Sequence, residues 1–279
     1  MRRILLTLSL LSLIFTPCFA EGELDRKIEL DENTYAILQN NSITDEAGGG
    51  ESLIKFNTSV GVSLIYIPKA HINVWGWYDL LAFWPIFEES APFRSYNHEP
   101  KVAIRADALG PLKDVRLGYW HHSNGLADEV VAEPVEDEDY QTIGEETTLE
   151  RSMGWDRAFL QGTYTYEIEQ YNIGFDVRVK AWYVLSVSEN TTDLATTDFS
   201  SIGVDDFGGE VKLTVRRGEW GEASVDFARR MVKPELLFHL FPEWDNMYMY
   251  LQGFSGYGED IGTFDTYTNS FGGGVALGL

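Results

Sequence analysis

The chain has 279 residues, 44% hydrophobic, 14% aromatic and 23% charged, with 21 basic against 44 acidic side chains, a formal net charge of −23 and one cysteine. That composition is globular or β-barrel, not disordered or collagenous. A mean hydropathy of −0.18, with no apolar run near the roughly 18 residues a spanning helix needs, excludes a multi-pass helical membrane protein but not a β-barrel, whose strands are never strongly apolar. The acidic balance argues against nucleic acid as a partner, because a phosphate-neutralising surface has to be basic, and it concentrates cations near the protein instead.

Residues 1–20 read as a secretory signal peptide. Arg2 and Arg3 form the charged start, residues 4–15 the apolar stretch and Phe19-Ala20 the small-residue end, with cleavage expected after Ala20. Lipidation at Cys18 is the minor reading, since Pro17 is not the small residue expected before a lipidated cysteine. Cleavage removes two arginines and the only thiol, leaving 19 basic against 44 acidic side chains, a net charge of −25. An exported chain without disulfides draws stability from another source, and a closed hydrogen-bonded barrel is one such source.

Residues 21–50 read as a polar leader and 51–279 as a single barrel domain. Within 52–68, Ile54, Phe56, Val60, Val62, Leu64 and Tyr66 share one parity, and Lys55, Asn57, Ser59, Gly61 and Ser63 take the other. This is the period of two of a strand. The stretch 171–185 repeats it, with Ile173, Phe175, Val177, Val179, Ala181, Tyr183 and Leu185 opposite Asn172, Asp176, Arg178 and Lys180. Shorter alternating runs occupy 72–83, 98–108, 115–121, 155–167, 210–217, 223–230, 236–241, 247–254 and 270–279.

A soluble sandwich alternates similarly, but these strands reach about ten or more residues, the length that crosses a bilayer at a tilt. Roughly 260 mature residues at about 20 to 22 per strand and turn give about twelve strands in one antiparallel transmembrane β-barrel, an all-β fold. Trp75, Trp77, Trp84, Trp120, Trp155, Trp182, Trp220 and Trp244 collect near strand ends, as interfacial girdles do, the alternative being scattered core aromatics. Residues 127–151, crowded with acids, and 186–207, rich in Thr, Ser and Asp, read as loops.

The chemistry-bearing segment is Gly118-Tyr119-Trp120-His121-His122-Ser123-Asn124-Gly125. Alternate residues share a face, so His121 and Ser123 follow Val115, Leu117 and Tyr119 on the apolar face that meets lipid. Polar groups there are costly and suggest function; the plainer alternative is that both stand just above the bilayer, in water. His121 and His122 project to opposite faces and do not share a zinc ion. On the next strand Asp156 shares parity with Ala158, Leu160, Tyr164 and Tyr166, so Ser123, His121 and Asp156 can meet on the outer wall as nucleophile, base and orienting acid. Asp156 has the alternative of pairing with Arg157 or Lys113.

These residues resemble the outer membrane phospholipase A family. The match runs through Ser90-Ala91-Pro92-Phe93-Arg94, Asn97 and Glu99-Pro100, then Tyr119, His121 and Ser123-Asn124-Gly125, then Trp155-Asp156-Arg157. It continues through Val179-Lys180-Ala181-Trp182-Tyr183-Val184 and Phe254-Ser255-Gly256-Tyr257-Gly258-Glu259. The resemblance implies a twelve-stranded barrel in the bacterial outer membrane, hydrolysing acyl esters of membrane phospholipids, dependent on calcium and active as a homodimer. It makes Ser123 the nucleophile and His121 the general base, and puts Asp156 in the place of the residue that orients the base, where a known family member has Asn. The positions matching the calcium ligands are Ser90, contributed by the partner subunit, Leu126 and Ser152. Leu126 stands where the family has Arg, which matters little if the ligand is the main-chain carbonyl. The acidic insertion after Leu126 is either a further source of carboxylate ligands or a solvated loop. Two other readings are a non-catalytic barrel, acting as a channel or structurally, and another outer membrane lipid deacylase.

Overall fold

The structure, a computed structural model, describes residues 28–30, 34–43, 50–67, 72–85, 95–124, 153–188, 207–218, 220–228, 230–239, 246–257, 259 and 267–277. The signal-peptide expectation, Trp244 and the acidic insertion all lie outside these residues. Thirteen strands are described: β1 (Ile28–Glu29), β2 (Thr34–Ile43), β3 (Gly50–Ile67), β4 (Ile72–Trp84), β5 (Ser95–Leu109), β6 (Leu112–Ser123) and β7 (Gly154–Ile168), then β8 (Ile173–Val187), β9 (Phe207–Arg217), β10 (Gly221–Ala228), β11 (Met231–Phe238), β12 (Met247–Gly256) and β13 (Thr268–Leu277).

Each of β2 to β13 pairs antiparallel with its neighbours in the chain, and β13 returns to β2, which closes the sheet. The two-residue β1 rests on β3 at Gly61 and Val62, beyond the stretch of β3 that β2 covers. Twelve strands therefore form the wall, an all-β antiparallel barrel as expected from the alternation. Closure leaves no edge, so the ladder satisfies backbone groups that would otherwise face hydrocarbon.

The barrel starts earlier than residue 51. β2 lies inside the stretch read as a polar leader and pairs along its length with β13. It escapes a periodicity search because both of its faces mix characters: Tyr35, Ile37 and Gln39 are buried, while Ala36, Leu38 and Asn40 take the outer side.

The outer wall carries bulky aliphatics in contact with the surroundings, among them Ile104, Leu117, Val179 and Leu213. A continuous apolar exterior of this kind suits lipid and not water. Most of the tryptophans do not join it. Trp75, Trp77, Trp120, Trp155 and Trp182 are buried inside the barrel, contrary to the girdle expectation, and four of them belong to one cluster with Ala103, Phe159 and Val184. The reason is the cations that share their parity. The Arg157 guanidinium stands 4.7, 4.9 and 5.0 Å from the Trp120, Trp155 and Trp182 rings, Lys180 lies 4.2 Å from Trp120, and Arg116 lies 4.5 Å from Trp77. Away from water such cation–π contacts are worth about 2 kcal/mol or more. Trp220 alone among the described tryptophans is largely exposed.

The remaining lumen is crossed by ion pairs. Lys55 Nζ donates to Gln252 Oε1 at 2.6 Å and to Glu259 Oε1 at 2.8 Å; Lys212 Nζ donates to Glu235 Oε2 at 2.8 Å, and Tyr250 donates to the same carboxylate. Ser59 Oγ donates to Asp79 Oδ1 at 2.6 Å, and Lys101 pairs with Asp79 as well. Glu259 thus serves the interior, accepting from Ser270 as well as Lys55.

Candidate active site

His121 and Ser123 end β6, and the β6–β7 register makes His121 the direct partner of Asp156 and Ser123 the partner of Gly154. Directly opposed residues put their side chains on one face, and that face is the outer one: Leu117 and Tyr119 on the same parity are exposed, whereas Trp120 and His122 are buried inside. His122, packed edge-on against Trp155 at 4.8 Å, is therefore separated from His121 by the wall.

His121 Nδ1 lies 2.7 Å from Asp156 Oδ1. A carboxylate accepts, so Nδ1 carries a proton, and in the neutral imidazole this is the tautomer a general base requires, with Nε2 free to accept. Both side chains are half-buried, 37% and 27% exposed. The Asp156 carboxylate has two further donors: the Tyr119 hydroxyl on Oδ1 and the Ser186 hydroxyl on Oδ2. Asp156 pairs with neither Arg157 nor Lys113 as an ion pair, because Arg157 faces the lumen.

Ser186 is a residue that the sequence reading missed. Trp182 and Val184 are buried inside, so strict alternation turns Ser186 inward too. A bulge intervenes: β8 pairs Asp156 with Ser186 but Arg157 with Val184, leaving Leu185 as the extra residue. Leu185 and Ser186 consequently both face out, which is the re-aiming a bulge performs beside a site.

The Ser123 hydroxyl makes no hydrogen bond to His121 or to any other described residue. It is half-buried two residues from His121 on the same face, a separation that ligand-free catalytic pairs often show before substrate tightens them. Space is kept open beside it by Gly154, where an added methyl would stand 3.2 Å from Ser123 Cβ and 3.1 Å from the His122 carbonyl oxygen. Just past the site the strand ends are tied together. Asn124 N donates to the Met153 carbonyl at 3.1 Å, Met153 N donates to Asn124 Oδ1 at 2.9 Å, and Ser188 N donates to the Gly154 carbonyl at 2.8 Å. The three positions matched to calcium ligands, Ser90, Leu126 and Ser152, lie outside the described residues, and among the described residues no group of three or more acidic, histidine or cysteine side chains is gathered to hold a metal.

A family model described as Phospholipase A1 matches residues 26–131, a span that contains His121 and Ser123 and stops short of Asp156. The Phospholipase A1 of Salmonella typhimurium is 25% identical over 201 residues, covering 68% of this chain and 56% of the relative. That of Escherichia coli K12 is 24% identical with the same coverage. The chain therefore spans about half the length of the curated relatives it matches. Among solved structures, the Salmonella typhi outer membrane phospholipase dimer with bound calcium shares the fold with a TM-score of 0.66 at 20% identity, over 92% of this chain and 94% of that one. The Escherichia coli outer membrane phospholipase A gives a TM-score of 0.65 at 18% identity, over 93% and 94%. The family model, the curated relatives and the shared barrel fold together make the chain similar to the outer membrane phospholipase A family.

Proposed function

We propose that this barrel is a phospholipase A of the bacterial outer membrane, hydrolysing acyl esters of membrane phospholipids with Ser123 as nucleophile, His121 as general base and Asp156 as the group that orients the base. The observation that carries the reading is the His121–Asp156 hydrogen bond on the lipid-facing wall, with Ser123 two residues further along the same face. A proton relay on the outside of a barrel has little structural use, and it stands where lipid esters are found.

The reaction follows from the tautomer. Ser123 Oγ attacks the ester carbonyl carbon while its proton passes to His121 Nε2, and the resulting imidazolium is stabilised by the Asp156 carboxylate. Collapse of the tetrahedral intermediate expels the glycerol oxygen, which takes the proton from His121, and leaves an acyl-serine. Water then attacks the acyl carbon, gives a proton to His121 and releases the fatty acid when Ser123 is reprotonated.

Calcium is the metal the resemblance implies, and the donor chemistry suits it. A serine hydroxyl, a second hydroxyl and a main-chain carbonyl are hard oxygen donors, and the double hydrogen bond between Asn124 and Met153 pins the chain next to Leu126 and Ser152. When bound, the ion supplies positive charge for the oxyanion that develops on the attacked carbonyl. Ser90, Leu126 and Ser152 are the residues proposed to hold it.

The direct test is a calcium-dependent lipid hydrolysis assay comparing wild type with Ser123→Ala. Within the same assay Asp156→Ala is expected to lose much of the activity, because Nδ1 then has no acceptor and the imidazolium no counter-charge. Asp156→Asn should retain a substantial part, since an amide oxygen can still accept from Nδ1. Wild-type activity in Asp156→Ala would remove this residue from the site.

The channel reading fares worse on the described interior, which Lys55, Glu259, Gln252, Glu235 and Lys212 bridge with hydrogen bonds and salt bridges. Reconstituted into a planar bilayer, the protein is expected to give no steady open-channel conductance. A stable ohmic pore would restore that reading.

A further inference from the structure

A second imidazole stands beside the candidate nucleophile, on the strand away from Asp156. The β5–β6 register makes His98 the direct partner of Ser123, so both side chains emerge on one face with Cβ atoms about 4.5–5.5 Å apart. The parity of β5 agrees: Tyr96, Val102 and Ile104 are exposed on the lipid side, and Asn97 and Ala103 are buried inside. The proton relay derived above has no use for His98, and a ring nitrogen on an apolar wall is costly unless it is paired.

One ring nitrogen is paired. The Tyr78 hydroxyl lies 2.5 Å from His98 Nδ1, and Tyr78 and Tyr96 flank the imidazole with ring centroids 6.1 and 6.2 Å away. A phenol is the better donor and an imine nitrogen the better acceptor, so Nδ1 accepts and the ring proton resides on Nε2. Nε2 then offers an N–H on the outer face, on the strand directly paired with Ser123. No described residue accepts it.

We infer that His98, held by Tyr78, is a phosphate-binding donor for the lipid substrate, its Nε2–H meeting a headgroup phosphate oxygen while the ester carbonyl lies at Ser123. This rests on the phospholipase reading and adds the recognition of the headgroup to it. The ligand chemistry follows from three facts. An anionic oxygen is the strongest acceptor such an N–H can find at a membrane boundary. In a glycerophospholipid, phosphate and ester hang from the two ends of one glycerol, a separation comparable with the about 4.8 Å between neighbouring strands. The nearby cations along these strands, Lys101 and Arg157, are turned into the lumen, where they pack over the Trp120 ring.

Substrate discrimination tests the contact. Wild type, His98→Ala and His98→Gln are assayed on a short-chain phosphatidylcholine and on the diacylglycerol with the same acyl chains, in mixed micelles of one neutral detergent. His98→Ala is expected to lower kcat/KM for the phosphatidylcholine about tenfold more than for the diacylglycerol, the loss of one hydrogen bond to a charged group, and His98→Gln, which can still donate, to recover part of it. Equal losses on the two lipids, or no loss on either, overturn the proposal. A second measurement needs no turnover: native mass spectrometry of phosphatidylcholine binding to Ser123→Ala, with and without His98→Ala. Weaker binding in the double variant is expected, and unchanged binding overturns the phosphate contact. Failure of the wild type to hydrolyse either lipid would instead count against the phospholipase reading, and the binding arm would still judge His98.

Discussion

Ser123→Ala is expected to lower phospholipid hydrolysis by at least on the order of a thousandfold, His121→Ala by a similar factor, and the double variant by little more than either. The two groups serve one proton transfer: without the hydroxyl the base has nothing to activate, and without the base the hydroxyl keeps its proton. Neither change should unfold the barrel. Ser123 is half-buried, its hydroxyl bonded to no described residue, and His121 shares a single hydrogen bond at the outer surface. Surface substitutions of this sort cost about 0.5 kcal/mol or less. Circular dichroism of the purified variants separates lost chemistry from lost fold. A folded Ser123→Ala that hydrolysed phospholipid at the wild-type rate would move the site elsewhere.

The barrel was legible where lumen and lipid impose opposite characters on alternate residues. β3 and β8 show it: Lys55, Ser59 and Ser63 against Phe56, Val60 and Leu64, and Arg178 and Lys180 against Val177 and Val179. β2 was not legible, because Tyr35 and Ile37 inside face Ala36 and Leu38 outside with no contrast between them. The tryptophans were misplaced for a reason the same parity could have exposed. Trp75 and Trp77 share a face with Asp79, and Trp182 shares one with Lys180, so closeness to a strand end was the weaker signal and cation–π packing in the lumen prevailed.

Two residues of the candidate site differ in how far sequence could have reached. His98 could have been found by counting back from the turn at Gly110-Pro111. Leu109 pairs with Leu112 across it, Gly110 takes the positive φ of 62° that a two-residue hairpin asks of its first residue, and the same register brings His98 to Ser123. Ser186 was out of reach, because nothing in Val184-Leu185-Ser186 announces the bulge that turns its hydroxyl outward. Asp156 lay between these cases. Its parity was readable, and its hydrogen bond to His121 required the register of β6 and β7, which the long intervening sequence does not fix.

Adding calcium in the millimolar range to the protein in detergent is expected to shift it from monomer to dimer and to switch on hydrolysis, with chelation reversing both. On the proposed assignment Ser90 would come from one subunit and Leu126 and Ser152 from the other, and each subunit alone would hold an incomplete oxygen set. An ion that binds only the completed set must favour dimerisation by the factor by which dimerisation favours its binding. At calcium a hundredfold above its dissociation constant that linkage amounts to about 2.7 kcal/mol per site, or roughly a hundredfold in the association constant. The wall around Ser123 fits such an arrangement, since Leu117, Tyr119, Val102 and Leu160 expose apolar surface beside it, against which a second barrel could enclose an acyl chain. Sedimentation with calcium and with excess chelator, run alongside the hydrolysis assay, reads both halves at once. A monomer fully active in chelator would sink the shared metal site while leaving the Ser123–His121 chemistry standing, whereas a calcium-independent dimer would separate assembly from the metal and leave calcium to act on the reaction alone.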